Sequence, residues 1–203
     1  MAGPLLLAPF RRSLGGEARI EHGRVYLRPP RQRDWKSWAE VRQQSREFLM
    51  PWEPTWAPDA LSRSAFRRRL RVYGQEWRQG TSCSFLIFRR DDEALLGGIN
   101  LSNIRRGVAQ SGSLGYWIGQ PHARQGYMTE ALAGVIGFAF DELGLHRIEA
   151  ACLPSNEASR SVLLKVGFTE EGFAREYLRI NGSWQDHTLF ALLRGDPRKS
   201  FHR

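Results

Sequence analysis

The sequence predicts a mixed α+β domain in which helices cover a central β-sheet. Three observations indicate this fold class. Segments rich in β-forming residues alternate with helical segments along the 203-residue chain. Three consecutive segments, "SCSFLIFRR", "ALLGGINLSNI" and "SGSLGYWIG", have the composition of an antiparallel meander. Asn181-Gly182 is a typical two-residue turn between two long strands.

The domain is predicted to span residues 23–195. The hydrophobic content of 41% is enough for one sizeable core. Residues 1–22 mix Gly, Pro and Arg without periodicity, so we expect a flexible tail there, and residues 196–203 are expected to form a C-terminal tail. The chain contains no internal repeats, which favours one domain with tails.

Local signals predict the first elements. Val25 and Leu27, spaced by two and flanked by arginines, predict a strand that two prolines end. Asp34 is predicted to cap a helix that continues through Phe48. Three prolines and two tryptophans in "LMPWEPTWAP" favour an ordered loop, in which Trp52 and Trp56 would either line a concave surface or pack locally. An arginine-rich helix is predicted from about Ser62 to Gln79.

The second half follows the meander. Leu132, Ile136 and Phe140 recur at helical spacing and predict a helix that begins near Met128. "HRIEAACL" predicts a strand, and "PSNEASRSVLLKVGF" predicts a helix that starts at Asn156 and stops at a left-handed glycine. The two strands of the late hairpin complete the sheet.

The net charge of +9 comes from 27 Arg and 3 Lys against 21 acidic residues. This excess favours anionic partners such as nucleotide cofactors, RNA or acidic protein surfaces. The charge is densest in Arg63–Arg78, where six arginines accompany one glutamate. A solvated helix face and a docking patch for a ribosomal or acidic partner are both open interpretations of this segment.

Several classes of protein are disfavoured. The longest apolar run, 133–140, is too short to cross a membrane, so we expect no membrane partner and a cytoplasmic location. Cys83 and Cys152 lie in β-like apolar runs and are expected to be buried free thiols. The five histidines lack metal-ligand spacing, so no metal is predicted.

The stretch "HARQGYMTEA" places one glycine between a strand that ends at Gly119 and the following helix. The first N–H groups of a helix have no intrahelical partner and bind anions well. Gly126 would let the backbone approach an anion, and Arg124 adds a positive charge. A phosphate-bearing ligand is one interpretation, and a glycine that merely eases the turn is the other.

This stretch resembles motif A of the GNAT superfamily of N-acetyltransferases, although Ala123 and Met128 depart from its pattern. The segments "LGYWIGQPHARQGYMTEAL", "PSNEASRSVLLKVGF" and "NGSWQDHTLFALL" are similar in order and spacing to RimJ/RimL-type acetyltransferases, which modify protein N-termini. The resemblance covers about residues 24–194. It implies the GNAT fold: a twisted mixed central sheet, splayed in the middle, with helices on both faces and acetyl-CoA between the sheet halves.

The resemblance also implies roles for individual residues. The backbone of the strand end would bind the pantetheine arm, the loop would bind the pyrophosphate, and the cap of the later helix would contact the cofactor. An N–H near Ile118 would also hold the thioester carbonyl. The implied cofactor-binding residues are Trp117, Ile118, Gly119, Arg124, Gln125, Gly126, Tyr127, Met128 and Asn156. Asn156 is equally well explained as a plain N-cap.

The resemblance leaves the acid and the base less defined. Leu163 occupies the position of the superfamily's usual tyrosine, so Ser159 becomes the candidate proton donor to the CoA sulfur. Glu176 is the favoured general base, with Asp186, His187 and, less favoured, Tyr177 as alternatives. Five residues are expected to frame the acceptor cleft: Trp52, Trp56, Tyr116, Trp184 and Asp186.

The leading functional hypothesis is acetyl transfer from acetyl-CoA to the N-terminal α-amine of a protein, with an exposed Ala or Ser and a ribosomal protein as the expected acceptor. Transfer would be direct, in a ternary complex. A small-amine acetyltransferase is the second hypothesis. An RNA- or ribosome-binding module with vestigial catalysis is the third. The sequence leaves open whether the protein is a monomer or a homodimer.

Overall fold

The fold is described for residues 18–197 of a computed structural model. Eight strands form one mixed sheet: β1 (Ile20–His22), β2 (Val25–Arg28), β3 (Cys83–Arg89), β4 (Leu95–Arg105), β5 (Ser111–Ile118), β6 (Arg147–Cys152), β7 (Thr169–Ile180) and β8 (Ser183–Leu193). The α-helices are α1 (Trp35–Gln44), α2 (Arg46–Leu49), α3 (Arg63–Gln79), α4 (Tyr127–Gly137) and α5 (Glu157–Lys165). The last turns after α4, Phe138–Glu142, are π-helical.

The sheet is mixed because one of its pairings is parallel. Its strand order is β1-β2-β3-β4-β5-β6-β8-β7, and only β5 and β6 run parallel. They pair through Ser111–Leu114 alone, whereas β5 pairs with β4 along its whole length. Beyond Leu114 the two central strands separate, so the predicted splayed mixed sheet is confirmed.

Helices cover both faces of the sheet. The larger core lies between one face and helices α4 and α5, where Leu132, Phe140 and Leu163 are fully buried. A smaller cluster on the opposite face includes Trp38 of α1 and Phe66 of α3, whose rings lie 4.9 Å apart. The two cores hold the central strands between helical layers, as expected for this fold class.

Most of the predicted boundaries are confirmed. The meander is formed by β3 to β5, and Ser62 caps α3 by accepting the Ala65 N–H at 3.1 Å. Gly167 has φ +105°, and the hairpin turn has both central residues at positive φ, 45° and 85°. Cys83 and Cys152 are buried free thiols, and burial raises the pKa of Cys83 to about 12.

The structure corrects the N-terminal predictions. The predicted N-terminal tail includes residues 20–22, but these form β1 and pair with β2. Residues 1–17 of that tail, and the C-terminal tail from residue 198, lie outside the described residues. The predicted helix through Phe48 is interrupted at Ser45, where α1 ends and α2 begins.

Asp34 stands at the N-cap position of α1 as predicted, but its side chain accepts no N–H group of that helix. Its carboxylate accepts two hydrogen bonds from the guanidinium of Arg28, both 2.7 Å, and one from the Arg31 N–H at 2.6 Å. The carboxylate oxygens of Asp34 therefore bind Arg28 and are not available to the N–H groups at the start of α1. A 3-10 turn over Gln32–Asp34 leads into the helix instead.

Among residues 18–197, no helix is both long and apolar enough to cross a bilayer. The same residues contain no group of three or more His, Cys, Asp or Glu side chains arranged to hold a metal ion.

We expect Asp34→Ala to destabilise the fold by about 3–5 kcal/mol, because it leaves the buried Arg28 guanidinium without its partner. The two side chains are only 10% and 6% exposed. The matched control is Asp59→Ala, which removes an ion pair to Arg68 whose side chains are 55% and 53% exposed. That change should cost less than about 1 kcal/mol. Urea unfolding of both variants measures the difference, and equal losses would contradict the prediction.

Candidate active site

The splay leaves half of β5 without a partner strand on one side. Residues 115–118 pair with β4 but have no counterpart on β6. Gly119 donates its N–H to the Leu96 carbonyl on β4 at 2.8 Å. Because successive N–H groups of an extended strand point to opposite sides, the Ile118 N–H points into the splay. An extended ligand rich in amides can add there as a further strand.

The loop after β5 ends at the first turn of α4. Gly126 is the N-cap at φ +86°, and no side chain caps the helix. The first intrahelical bond runs from the Glu130 N–H to the Gly126 carbonyl at 3.1 Å. The side chains of Tyr127 and Met128 are buried in the core. Only their backbone atoms are therefore available to an anion at this helix end.

Arg24, which lies between β1 and β2, contacts this loop, and the sequence analysis did not include it in the site. Its guanidinium donates to the Gln125 carbonyl at 2.8 Å, pairs with Glu130 at 2.5 Å and lies 4.5 Å from the centre of the Tyr127 ring. A Cβ atom on Gly126 would lie 3.1 Å from the Arg24 Nη2 atom. The Arg24 guanidinium thus occupies the space on the side of Gly126 where a Cβ atom would lie, next to the place expected for a phosphate.

The other predicted residues of the loop have defined places. Arg124 is exposed and has φ +59°, which bends the chain just before the helix. The side chain of Gln125 donates to the Pro121 carbonyl at 2.8 Å and so braces the loop itself. Arg124 and Gly126, on either side of Gln125, thus both have left-handed backbone.

Across the splay, α5 brings Ser159 to β5. The Ser159 Oγ atom lies 2.7 Å from the Tyr116 hydroxyl, and the Ser159 N–H donates to Asn156 Oδ1 at 3.0 Å. Asn156 is therefore the N-cap of α5. Burial raises the pKa of the Tyr116 phenol, although its hydrogen bond with Ser159 acts in the opposite direction. Two neutral hydroxyl groups thus stand together beside the unpaired half of β5.

A cleft of about 710 Å³ lies on the face that carries α1 and α3. Its floor contains Asn100 and Gly115–Trp117, the segment of β5 that has no partner on β6. Its walls include Glu53 and Trp56. The Arg42 guanidinium also lines the cleft; it pairs with Glu53 and lies 4.4 Å from the centre of the Trp56 ring. Trp56 was expected at the cleft and lines it, whereas Arg42 and Glu53 are absent from the predicted site.

The structure does not bring the predicted hairpin residues into this cleft. Glu176 is exposed at φ +47° in a β-bulge, and its N–H donates to Asp186 at 2.8 Å. Trp184 is 62% exposed, and Trp52 is also exposed. None of these four residues lines the cleft. The bulge takes residues 175–177 of β7 out of the regular pairing with β8, so side-chain directions there do not follow the usual alternation of a strand.

The hairpin nevertheless reaches the cleft through its turn. The Asn181 N–H donates to the Glu53 carbonyl at 3.0 Å. A Cβ atom on Gly182 would lie 3.6 Å from the Thr55 hydroxyl. The turn between β7 and β8 is therefore joined to the loop that forms one wall of the cleft.

Residues 24–169 match the acetyltransferase (GNAT) domain family. The chain belongs to the GNAT acetyltransferases. It is therefore an enzyme of the acyltransferase class, and the expected family resemblance is confirmed.

Two sequence relatives illustrate the similarity. The chain is 36% identical over 175 residues to the probable N-acetyltransferase YjcK of Bacillus subtilis, covering 86% of this chain and 97% of the relative. It is 35% identical over 180 residues to the [ribosomal protein uS5]-alanine N-acetyltransferase of Escherichia coli, covering 89% and 93%.

Solved structures agree in fold. RimJ of Mycobacterium smegmatis, in complex with CoA-disulfide, superposes with a TM-score of 0.80 at 33% identity and covers 87% of this chain and 86% of its own. The ribosomal-protein-S5-alanine acetyltransferase of Vibrio fischeri has a TM-score of 0.82 at 29% identity and covers 90% and 100%. This GNAT enzyme thus has the RimJ/RimL type of architecture.

We expect Gly126→Val to weaken acetyl-CoA binding by about tenfold or more, because a β-branched residue is strained at this φ and the new side chain meets Arg24. The wild-type enzyme at ~100 times its dissociation constant for acetyl-CoA should gain about 2.7 kcal/mol of stability. Thermal shift with acetyl-CoA measures both proteins. Gly137→Ala is the control, since its Cβ meets only an atom at 3.9 Å. Normal binding by Gly126→Val would remove this loop from the cofactor site.

Proposed function

We propose that this GNAT enzyme transfers the acetyl group of acetyl-CoA directly to the N-terminal α-amine of a protein, with Ala or Ser as the first residue and a ribosomal protein as the acceptor. One observation carries the proposal: the acceptor-sized cleft ends on Gly115–Trp117, the same strand segment that the splay exposes to a cofactor. The names of the Escherichia coli and Vibrio fischeri relatives support the choice of a ribosomal alanine.

In this proposal the cofactor lies along the splay. The backbone of Trp117–Gly119 binds the pantetheine arm, and the loop Arg124–Met128 binds the pyrophosphate through its N–H groups. The charge of Arg124 and the N-cap Asn156 add to the site. The CoA complex of the Mycobacterium smegmatis relative supports this cofactor.

In this reaction a C–N bond forms between the amine and the acetyl group, and the C–S bond of the thioester breaks. The neutral amine attacks the thioester carbon, and the negative charge that develops on its oxygen is stabilised by the Ile118 N–H. The C–S bond then breaks, and the Ser159 hydroxyl gives its proton to the CoA sulfur. The serine regains a proton through its hydrogen bond with Tyr116, and water then returns a proton to Tyr116. The extra proton of the amine leaves to water.

An α-amino group has a pKa near 8, against about 10.4 for lysine, so an appreciable fraction is neutral at physiological pH. Such an acceptor makes light demands on a general base. Because Glu176 lies outside the cleft, the proposal gives it no part in proton removal.

The charges of the cleft disfavour a polycationic small molecule as the acceptor. Its two carboxylates, Glu53 and Asp59, are already paired with Arg42 and Arg68. Arg69 adds a further positive charge. An aminoglycoside or polyamine would therefore find no unpaired carboxylate among the described lining residues.

The outer side of α3 supports docking beside RNA. Arg67, Arg71 and Arg78 line a shallow groove with Gln32, and no ion pair engages them among the described residues. Arg67 and Arg71 are one helical turn apart, ~6 Å along the axis. Guanidinium groups bind phosphates well, so this face suits a ribosomal particle in the cytoplasm.

The proposal is tested by a screen of peptides that differ in their first residue, with a lysine side-chain acceptor and an aminoglycoside included and CoA release as the readout. We expect Ala and Ser peptides to be acetylated fastest. A ribosomal particle with the same N-terminus should lose activity between 50 and 200 mM salt while the free peptide does not. Preference for the aminoglycoside would contradict the proposed acceptor class.

We expect Ser159→Ala to lower kcat by about 10- to 100-fold with little change in acetyl-CoA binding, because the proton donor acts only after the cofactor is bound. Ser161→Ala changes an exposed serine of the same helix and should leave kcat unaltered. Steady-state kinetics and thermal shift with acetyl-CoA separate the two effects. Unchanged turnover in Ser159→Ala would exclude this serine from proton transfer.

A further inference from the structure

The sheet face beneath α1 and α3 is apolar at one end and polar at the other. At one end Leu86 and Phe88 pack with the aromatic residues of those helices. At the other end the residues that point the same way are polar: Ser84 on β3 and Asn100 on β4, with Ser82, just before β3, bonded to Asn100. In the sheet register, Asn100 lies between Ser84 on one side and Gly115 of β5 on the other. A polar side chain thus stands on the floor of the cleft.

Two serines fix the orientation of the Asn100 amide. Its Oδ1 atom accepts hydrogen bonds from the Ser82 hydroxyl at 2.8 Å and from the Ser84 hydroxyl at 3.0 Å. These bonds occupy both lone pairs of the oxygen. The Nδ2 atom carries two N–H donors, and no described residue accepts from them. The amide nitrogen is therefore the polar group that Asn100 offers to the cleft.

The space next to this amide is open toward the reaction centre. A Cβ atom on Gly115 would meet no atom within 4 Å, so nothing fills the position across from Asn100. Gly115 also begins the half of β5 that has no partner on β6. A ligand that reaches the amide of Asn100 is thus directly beside the strand segment along which the thioester is proposed to lie.

The chemistry of the amide selects its ligand. An N–H donor attracts a carbonyl oxygen and repels an ammonium group, so Nδ2 does not suit the acceptor nitrogen itself. The nearest carbonyl to a protein's α-amine is that of its first peptide bond. A lysine side chain or a simple alkylamine has no carbonyl at this distance from its nitrogen.

We propose that Asn100 is a specificity residue that donates a hydrogen bond from Nδ2 to the first peptide carbonyl of the acceptor, with Ser82 and Ser84 as its positioning residues. This inference rests on the proposed function and identifies how that cleft distinguishes an N-terminal peptide from other amines. This hydrogen bond would hold the first residue of the acceptor above the cleft floor and place its α-amine within reach of the thioester.

The test compares Asn100→Asp and Asn100→Ala with the wild-type enzyme on two acceptors: a peptide that begins with Ala, and an alkylamine without a carbonyl group. Asn100→Asp keeps the size and still accepts from both serines, but it replaces the donor with an acceptor. We expect kcat/KM for the peptide to fall about tenfold or more in both variants. For the alkylamine it should change less than about twofold.

The control is Asn103→Asp, which makes the same change at an exposed position of β4 and should leave both acceptors unaffected. The double variant Ser82→Ala, Ser84→Ala should reduce the ratio of peptide to alkylamine activity, because it releases the amide that the serines hold. Thermal shift with acetyl-CoA shows that each variant is folded and binds the cofactor.

Equal losses on both acceptors, or no loss on the peptide, would overturn the role of Asn100 while leaving the proposed function in place. If the wild-type enzyme acetylates the alkylamine but no peptide, the proposed function fails, and the role of Asn100 fails with it. The two failures are therefore distinguishable from the wild-type data alone.

Discussion

The short pairing between β5 and β6 is the constraint on which the site depends. Four residue pairs join the two strands, and then β6 continues against β8 alone. The backbone N–H and C=O groups beyond Leu114 must find other partners, because unpaired polar groups are costly when they are shielded from water. The same separation gives α5 access to the strand, so that Ser159 reaches Tyr116. The free edge of β5 and the pair of hydroxyl groups on Ser159 and Tyr116 thus both result from the separation of β5 and β6.

Local patterns were sufficient to predict much of the fold. Helix caps at Ser62 and Asn156, the meander and the hairpin turn each depend on residues that are neighbours in sequence. The contacts that sequence missed are long-range. Arg24 and Glu130 are 106 residues apart, and nothing in either segment indicates the other. The bulge at Glu176 was equally hidden, because the four residue steps from Ala174 to Leu178 face only two steps on β8, and the composition of the strand does not indicate this.

The positive charge of the chain is less uniform than its composition indicates. Many arginines are held by carboxylates, as in the pairs of Arg28 with Asp34 and Arg147 with Glu171. Their charge is compensated locally and serves the fold. The arginines of the outer side of α3 lack such partners among the described residues. The outer side of α3 therefore carries positive charge that no carboxylate of the described residues compensates, a pattern that favours contact with anionic surfaces.

The link between the hairpin turn and the loop at Glu53 uses only main-chain atoms on both sides. A bond of that kind survives most side-chain replacements, so the loop can accumulate substitutions while its span across the opening is preserved. The side chains of this wall of the cleft can therefore be exchanged without changes to β5 or to the loop before α4. Diversification of targets within such enzymes would then proceed by editing one short tethered segment.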